Sequence, residues 1–397
     1  MVHELLVLGA GYAGLAAARR AAHHVRANGA GLRVTLVNAT DTFVERVRLH
    51  EVAAGRDVGV HPLADSLNPA IDLVVGRVEA VDTEARTVDV RTGDRFRTLR
   101  YDTLVYALGS TAAADAAPGA AEHAVTLAGL EGAREVARRI ARERPRTLTV
   151  VGGGLTGLEA VTEIAEAHAG MDVRLVTSGP VAAGVGARGR AHVRRVLDRL
   201  DVSVREHTRV AAVEAGHVKL EDGDLLESDL TVWNAGFDVS PLAAGAGLAV
   251  DGSGRALVDG TQRSVSHPDV YVVGDAAHAD AVDGRELRMS CAMGLPMGTA
   301  AADAVAARLA GREPDAAPFG YLFQCVSLGR RDGLIQFVHA DDSPRGAFLT
   351  GGLAARYKEM IVSSAYGGLR GSGKQGSAEG YLWLVRGSAR RFLRRAA

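Results

Sequence analysis

The chain has 397 residues, enough for two or three domains and a large core. Its 46 basic and 47 acidic residues leave a net charge of −1, which excludes the basic footprint of a nucleic-acid binder. With two cysteines, Cys291 and Cys325, in no C-x-x-C arrangement, it also excludes a disulfide framework and a thiolate metal site.

Residues 2–8 read as a buried strand and 12–27 as a helix, joined by Gly9-Ala-Gly11-Tyr-Ala-Gly14. A strand starting so close to Met1 predicts no signal peptide. The next strand runs from Leu32 to Val37 and ends at Asn38. From Asp72 to Thr98, short alternating runs with charged turns predict a β-meander. Tyr101 to Gly109 returns to a buried strand. The pattern then repeats. A strand from Arg146 meets Gly152-Gly-Gly154-Leu-Thr-Gly157, a helix, and the strand Asp172–Ser178, followed by a meander over 209–227 and a closing strand that reaches Gly236. Such long-period duplication strengthens each glycine motif. A further strand ends at Gly274-Asp275, and Cys291 to Leu309 reads as a helix with Pro296 in or near its first turn.

Each glycine motif stands between a β-run and an Ala/Leu-rich helix, the arrangement that binds a dinucleotide. The first glycine makes the tight turn, the second admits the pyrophosphate, and the third lets helix and strand pack closely. The helix start then faces the phosphates with partial positive charge. Two such sites suggest a flavin on one half and a nicotinamide on the other, with hydride transfer between them.

These motifs, with Phe43-Val-Glu-Arg-Val-Arg-Leu-His50, Ala107-Leu-Gly109-Ser110 and Gly274-Asp275, run through roughly the first 300 residues. The chain thereby resembles the two-dinucleotide-binding flavoprotein superfamily of pyridine nucleotide-disulfide oxidoreductases. Within it, it is similar to the type II NADH dehydrogenase-like and apoptosis-inducing-factor-like oxidoreductases. The resemblance implies an α/β fold of two Rossmann-like domains, the second inserted in the first. It divides the chain into 1–115 and 245–315 (FAD-binding), 116–244 (NAD(P)H-binding) and a C-terminal segment, 316–397.

By the motifs and the resemblance together, Gly9, Gly11, Gly14, Asn38, Arg46, Ala107, Gly109, Gly274, Asp275, Pro296 and Met297 are expected to hold FAD. Asn38 stands where an acid usually binds the adenosine ribose. Gly152, Gly154, Gly157, Thr177 and Gly236 are expected to hold NADH or NADPH. The strand ending at Thr177 lacks an acid, and Arg188 and Arg190 downstream lean toward NADPH or mixed use. The resemblance makes Glu159, Arg48 and His50 the catalytic candidates. It places Glu159 between nicotinamide and flavin, with Glu163 one turn later as its substitute, and lays Arg46, Arg48 and His50 against the flavin. Each of these can equally serve packing or the surface.

The cysteine pair of disulfide reductases is missing, so disulfide reduction is not expected. No histidine shows metal spacing. Ala292, Pro296 and Met297 occupy positions where quinone-reducing members carry glutamines; a quinone is compatible, without its usual polar lining. After a Gly/Ser-rich linker, 367–380, the tail from Tyr381 places Tyr381, Leu382, Val385, Ala389, Phe392 and Leu393 on one helical arc, opposite Arg386, Arg390 and Arg394. That pattern suits an interfacial membrane helix over 381–397; docking on its own domain or across a homodimer is the alternative. No apolar run approaches the roughly 20 residues that span a bilayer, so the expected location is cytoplasmic or peripheral on the inner membrane face. The expected function is an FAD-dependent NAD(P)H:acceptor oxidoreductase reducing a quinone-like or other small acceptor. The alternatives are a flavin oxidoreductase acting on a particular metabolite, or a redox-sensing flavoprotein with slow turnover.

Overall fold

The computed structural model describes residues 2–28, 31–113, 116–370 and 376–396. Its first unit starts with β1 (His3–Leu8), whose Leu-Leu-Val-Leu run is fully buried, and α1 (Tyr12–Asn28). After β2 (Leu32–Asn38) come the short helix α2 (Leu49–Ala53) and β3 (Ile71–Val75). An antiparallel meander follows, β4 (Arg77–Asp82), β5 (Thr87–Thr92) and β6 (Arg95–Arg100), then β7 (Thr103–Tyr106). The meander is shorter than the sequence pattern suggests. Ile71–Val75 instead pairs parallel to β2, with Val34 opposite Ile71, because a sheet neighbour overrides the local alternation.

The second unit contains β8 (Ala124–Thr126), β9 (Thr147–Val151), α3 (Leu155–Ala167), β10 (Asp172–Val176), α4 (Ala187–Arg199) and β11 (Ser203–Arg205). Its own meander, β12 (Val210–Glu214), β13 (His217–Leu220) and β14 (Leu225–Glu227), leads to β15 (Leu230–Trp233). The chain then returns to the first unit with β16 (Val270–Val272) and α5 (Cys291–Leu309).

The two five-stranded sheets are both parallel, ordered β16-β7-β1-β2-β3 and β8-β15-β9-β10-β11. In each, the glycine loop leaves the central strand, which puts both loops at a carboxyl edge where the strand order reverses. This is a mixed α/β fold of two Rossmann-like units. Pro296 lies within the body of α5 rather than its first turn, so the Ala292 carbonyl loses its helical donor.

A three-stranded antiparallel sheet, β17 (Phe323–Ser327), β18 (Gly333–Val338) and β19 (Pro344–Thr350), precedes α6 (Gly351–Gly367) and α7 (Gly376–Ala396). The expected linker over 367–380 is thus partly helical. Its residues 371–375 lie outside the described residues, as do Ala397 and positions 114–115 at the expected domain boundary. The tail arc turns inward except at Leu393, which is exposed. Leu382, Val385 and Ala389 are buried, the Val385 carbonyl accepts the Gly320 N–H at 3.1 Å, and Ser388 donates to the Tyr321 carbonyl at 3.1 Å. Arg386, expected on the solvent face, is buried against Asp315 (3.0 Å) and lies over the Phe319 ring. A long side chain with a paired head covers apolar surface this way. The outward face carries Trp383, Leu384, Arg390, Arg391 and Arg394.

Candidate active site

The first glycine loop is shaped by what cannot fit into it. Gly9 has φ +94°, and a Cβ there would strike the Ala107 carbonyl oxygen; a Cβ on Gly14 would strike the carbonyl of Gly9. In front of Gly11 nothing lies within 4 Å, which leaves the loop open where a pyrophosphate approaches the start of α1. Asn38, at the tip of β2, turns onto the loop itself. Its Oδ1 accepts the Ala10 N–H at 3.0 Å and its Nδ2 donates to the Thr40 carbonyl. A neutral amide here fastens the loop in a way a carboxylate could do only on its acceptor side.

The same edge carries Ala107 and Gly109, with Arg46 Nη1 3.6 Å from where a Gly109 Cβ would stand. Asp275 follows Gly274 and accepts a hydrogen bond from Ser110 Oγ at 2.7 Å. Gly274 and Asp275 line a cleft of about 210 Å³ together with Met293, Gly294 and Met297. Pro296 is buried in the helix body and is not among the residues lining this cleft. Two residues that the motif reading passed over set this geometry. A Cβ on Gly298 would strike the Ala13 carbonyl and one on Gly294 would meet Ala13 Cβ at 3.5 Å, so α5 and α1 cross nearly backbone to backbone. Their i, i+4 spacing along α5 was the available signal.

The second loop repeats the plan. Gly152 has φ +116° and its Cβ would lie 2.7 Å from the Asn234 carbonyl; one on Gly157 would strike the Gly152 carbonyl; Gly154 faces open space. Gly153, not singled out by the fingerprint, is also required, since a Cβ there would come within 2.5 Å of Thr177 Oγ1. Thr177 therefore buttresses the loop. Gly236 follows β15 with Ala113 3.1 Å from its Cβ position, and Asn234 Nδ2 is buried without a partner among the described residues. Both cradles fit a dinucleotide: each has a Cβ-free floor and an open front. Arg188 is turned away, its guanidinium 5.1 Å over the Phe348 ring.

Glu159, in the first turns of α3, is brought together with residues remote in sequence. Its Oε1 accepts hydrogen bonds from Lys358 Nζ and from the Ser327 N–H (3.1 Å), and its Oε2 is 3.7 Å from His50 Nδ1. Burial pulls the Lys358 ammonium down from the usual lysine value, and burial, with Lys358, Arg330 and Arg48 nearby, keeps His50 neutral well below its ordinary pKa. His50 Nε2 has no partner among the described residues. Arg48, expected against the flavin, is held by Glu45 (3.2 Å), Glu51 (2.9 Å) and Glu359 (2.5 Å). Burial works against its charge, and these carboxylates more than restore it. Glu163 pairs with Arg56 at 3.1 Å while its Oε2 stays buried with no partner among the described residues, and burial raises its carboxyl to about 7. A cleft of about 290 Å³ opens between these groups, lined by Val47, His50, Glu51, Ser327, Arg330 and Lys358.

Among the described residues, Asp251, His278 and Glu286 gather ligand atoms within 4.8 Å of one another, but Arg255 already pairs with Asp251 at 2.9 Å and with Glu286. No helix of the described residues is long and apolar enough to cross a membrane.

The chain is similar to known proteins along most of its length. The profile of the pyridine nucleotide-disulphide oxidoreductases matches residues 3–304. An NADH dehydrogenase-like protein of Mycobacterium tuberculosis is 32% identical over 315 residues, covering 74% of this chain and 78% of that protein. A type II NADH:quinone oxidoreductase of Staphylococcus epidermidis is 26% identical over 403 residues, 93% of this chain and 96% of its own. Among solved structures, NDH2 from Plasmodium falciparum in complex with NADH superposes with a TM-score of 0.79 at 11% identity, with 97% of each chain covered, a likeness of fold.

Proposed function

The chain belongs to the pyridine nucleotide-disulphide oxidoreductase family and is an NAD(P)H-dependent flavoprotein oxidoreductase, and from that premise we propose that it passes electrons through FAD to a quinone-like or other small acceptor. The observation that carries the reading is the pair of matched glycine cradles, each at the carboxyl edge of a parallel sheet. When bound, FAD supplies the hydride-accepting ring and the two-electron store from which an acceptor is reduced.

The chain's own residues bind and orient. The loops at Gly9–Gly14 and Gly152–Gly157 seat the two pyrophosphates. Asp275, already bonded to Ser110, offers its carboxylate to a hydroxyl of the flavin side chain, and Arg46 places positive charge at the same edge. Glu159 is held in place by Lys358 and the Ser327 N–H before any ligand arrives, so orienting a nicotinamide costs little reorganisation. Thiol chemistry has little support: burial pushes Cys291 up to about 11 and Cys325 up to about 12, which leaves both protonated near neutral pH.

For the acceptor, Met293, Gly294 and Met297 give the cleft beside Asp275 an apolar wall that suits a quinone-like ring. A second reading, reduction or oxidation of a polar metabolite, is favoured by the charged cleft of His50, Glu51, Arg330 and Lys358. Anaerobic mixing of the purified flavoprotein with NADH and NADPH, followed by a soluble quinone, tests the proposal. Bleaching of the flavin band by a nucleotide and its recovery with quinone are expected. A band that neither nucleotide bleaches would overturn it.

A further inference from the structure

We infer that Glu206 sets the nucleotide preference of this protein, favouring NADH by turning away the 2′-phosphate of NADPH. The inference rests on the proposed NAD(P)H reading and concerns one end of that site.

In a glycine-loop unit the discriminating acid normally stands at the tip of the second strand, about 20 residues past the last glycine. Here that position is Thr177, a neutral side chain packed so closely on Gly153 that a Cβ there would come within 2.5 Å of its Oγ1. The neighbouring strand supplies the missing carboxylate. The parallel register of β10 and β11 sets Val176 opposite Arg205, and the Thr177 N–H donates to the Arg205 carbonyl at 2.9 Å. Glu206 is the next residue, so it emerges beside Thr177 at the same sheet edge. Its carboxylate folds back over the loop that follows β10. Oε1 accepts the Val181 N–H at 2.6 Å, and Arg194 Nη2 reaches Oε1 at 2.8 Å and Oε2 at 2.6 Å.

Two consequences follow from charge and valence. A carboxylate offers about four acceptor positions, of which these bonds use three. The remaining one lies on Oε2, free for a ribose 2′-hydroxyl to donate into. A 2′-phosphate has no hydrogen to donate and meets a negative group instead. Its natural counter-ion at this edge, Arg194, is already neutralised by Glu206, and Arg188 is engaged over Phe348. The discrimination is therefore built against one ligand as well as toward the other. It also reverses the NADPH leaning that the arginines of the sequence suggest.

The test is the ratio of kcat/KM for NADH over NADPH in the purified flavoprotein, measured beside direct calorimetric binding of each nucleotide. The unaltered protein is expected to favour NADH by about tenfold or more. Glu206→Gln keeps the oxygen that holds Val181 and removes the charge; the ratio is expected to fall by about tenfold, mainly through KM. Arg194→Ala, an exposed change that leaves Glu206 unneutralised, is expected to move the ratio the other way. An unaltered protein that prefers NADPH, or a ratio steady within about twofold in both variants, would overturn the inference. Failure of the oxidoreductase reading looks different, because neither nucleotide would then bleach the flavin. The binding ratio would still decide the role of Glu206, and binding of neither nucleotide would end both.

Discussion

Lys358, on the helix after the C-terminal sheet, donates a hydrogen bond to Glu159 at the start of the helix after the second glycine loop, and both side chains are largely buried. The pair joins the unit of the second glycine loop to the C-terminal segment. Removing one partner is therefore expected to cost more than removing both. Lys358→Met leaves the carboxylate with the Ser327 N–H and His50 and should lower stability by about 3 kcal/mol. Urea melts of Lys358→Met, Glu159→Gln and the double variant should give a coupling energy of about 1–3 kcal/mol. A coupling near zero would show that the two groups are held independently.

The two cradles separate in their phenotypes. Gly14→Ala drives a methyl into the Gly9 carbonyl, and Gly157→Ala does the same at Gly152. The first variant should purify colourless. The second should keep its flavin spectrum and lose bleaching by NADH. A yellow Gly14→Ala protein with full flavin content would show that α1 shifts without harm.

Glu163 gives a pH signature of known sign. Its folded pKa of about 7 lies above its ordinary 4.5, so the folded state binds the extra proton. The stabilisation this provides is complete below about 4.5 and is lost as pH rises through about 7. Glu163→Gln should therefore raise the melting temperature relative to the unaltered protein at pH 8 and change it little at pH 4.5. A difference that does not vary with pH would place the folded pKa near its ordinary value.

The apolar side chains that the tail leaves exposed to any membrane lie on its outer face. Val385 is fully buried while Trp383 is 68% exposed, next to Leu384 and near Arg390, Arg391 and Arg394. Trp383→Ser with Leu384→Ser should reduce co-sedimentation with anionic vesicles and leave the melting temperature within about 2 °C, as exposed substitutions do. Equal sedimentation before and after the change would assign this face another partner or none.

What the sequence disclosed, and what it hid, divides along the range of the interactions. The glycine loops, the flanking strands and α5 were legible, because each is specified within a dozen residues by a β-run, a tight turn and a helical run. Ile71–Val75 was misread as meander, since its place is fixed by a partner 37 positions earlier, Val34. The inward turn of the tail was hidden for a related reason. An amphipathic arc states that one side seeks apolar surroundings, and only the position of Gly320 and Tyr321 reveals that the chain itself supplies them. Arg48 carried no local mark of its three carboxylates, one of which, Glu359, is some 300 residues away.

The order of the strands along the chain also fixes an order of assembly. Every strand of the second parallel sheet lies between residues 124 and 233, whereas the first sheet begins at residue 3 and lacks its outer strand until residue 272 has been made. The cleft beside Asp275 is walled by 291–309, and that helix is covered in turn by 376–396. During synthesis the inserted unit is whole while the unit that starts the protein is still open. The second parallel sheet can therefore close before the outer strand of the first has been made, and the cleft beside Asp275 gains its wall only from a helix that follows both sheets.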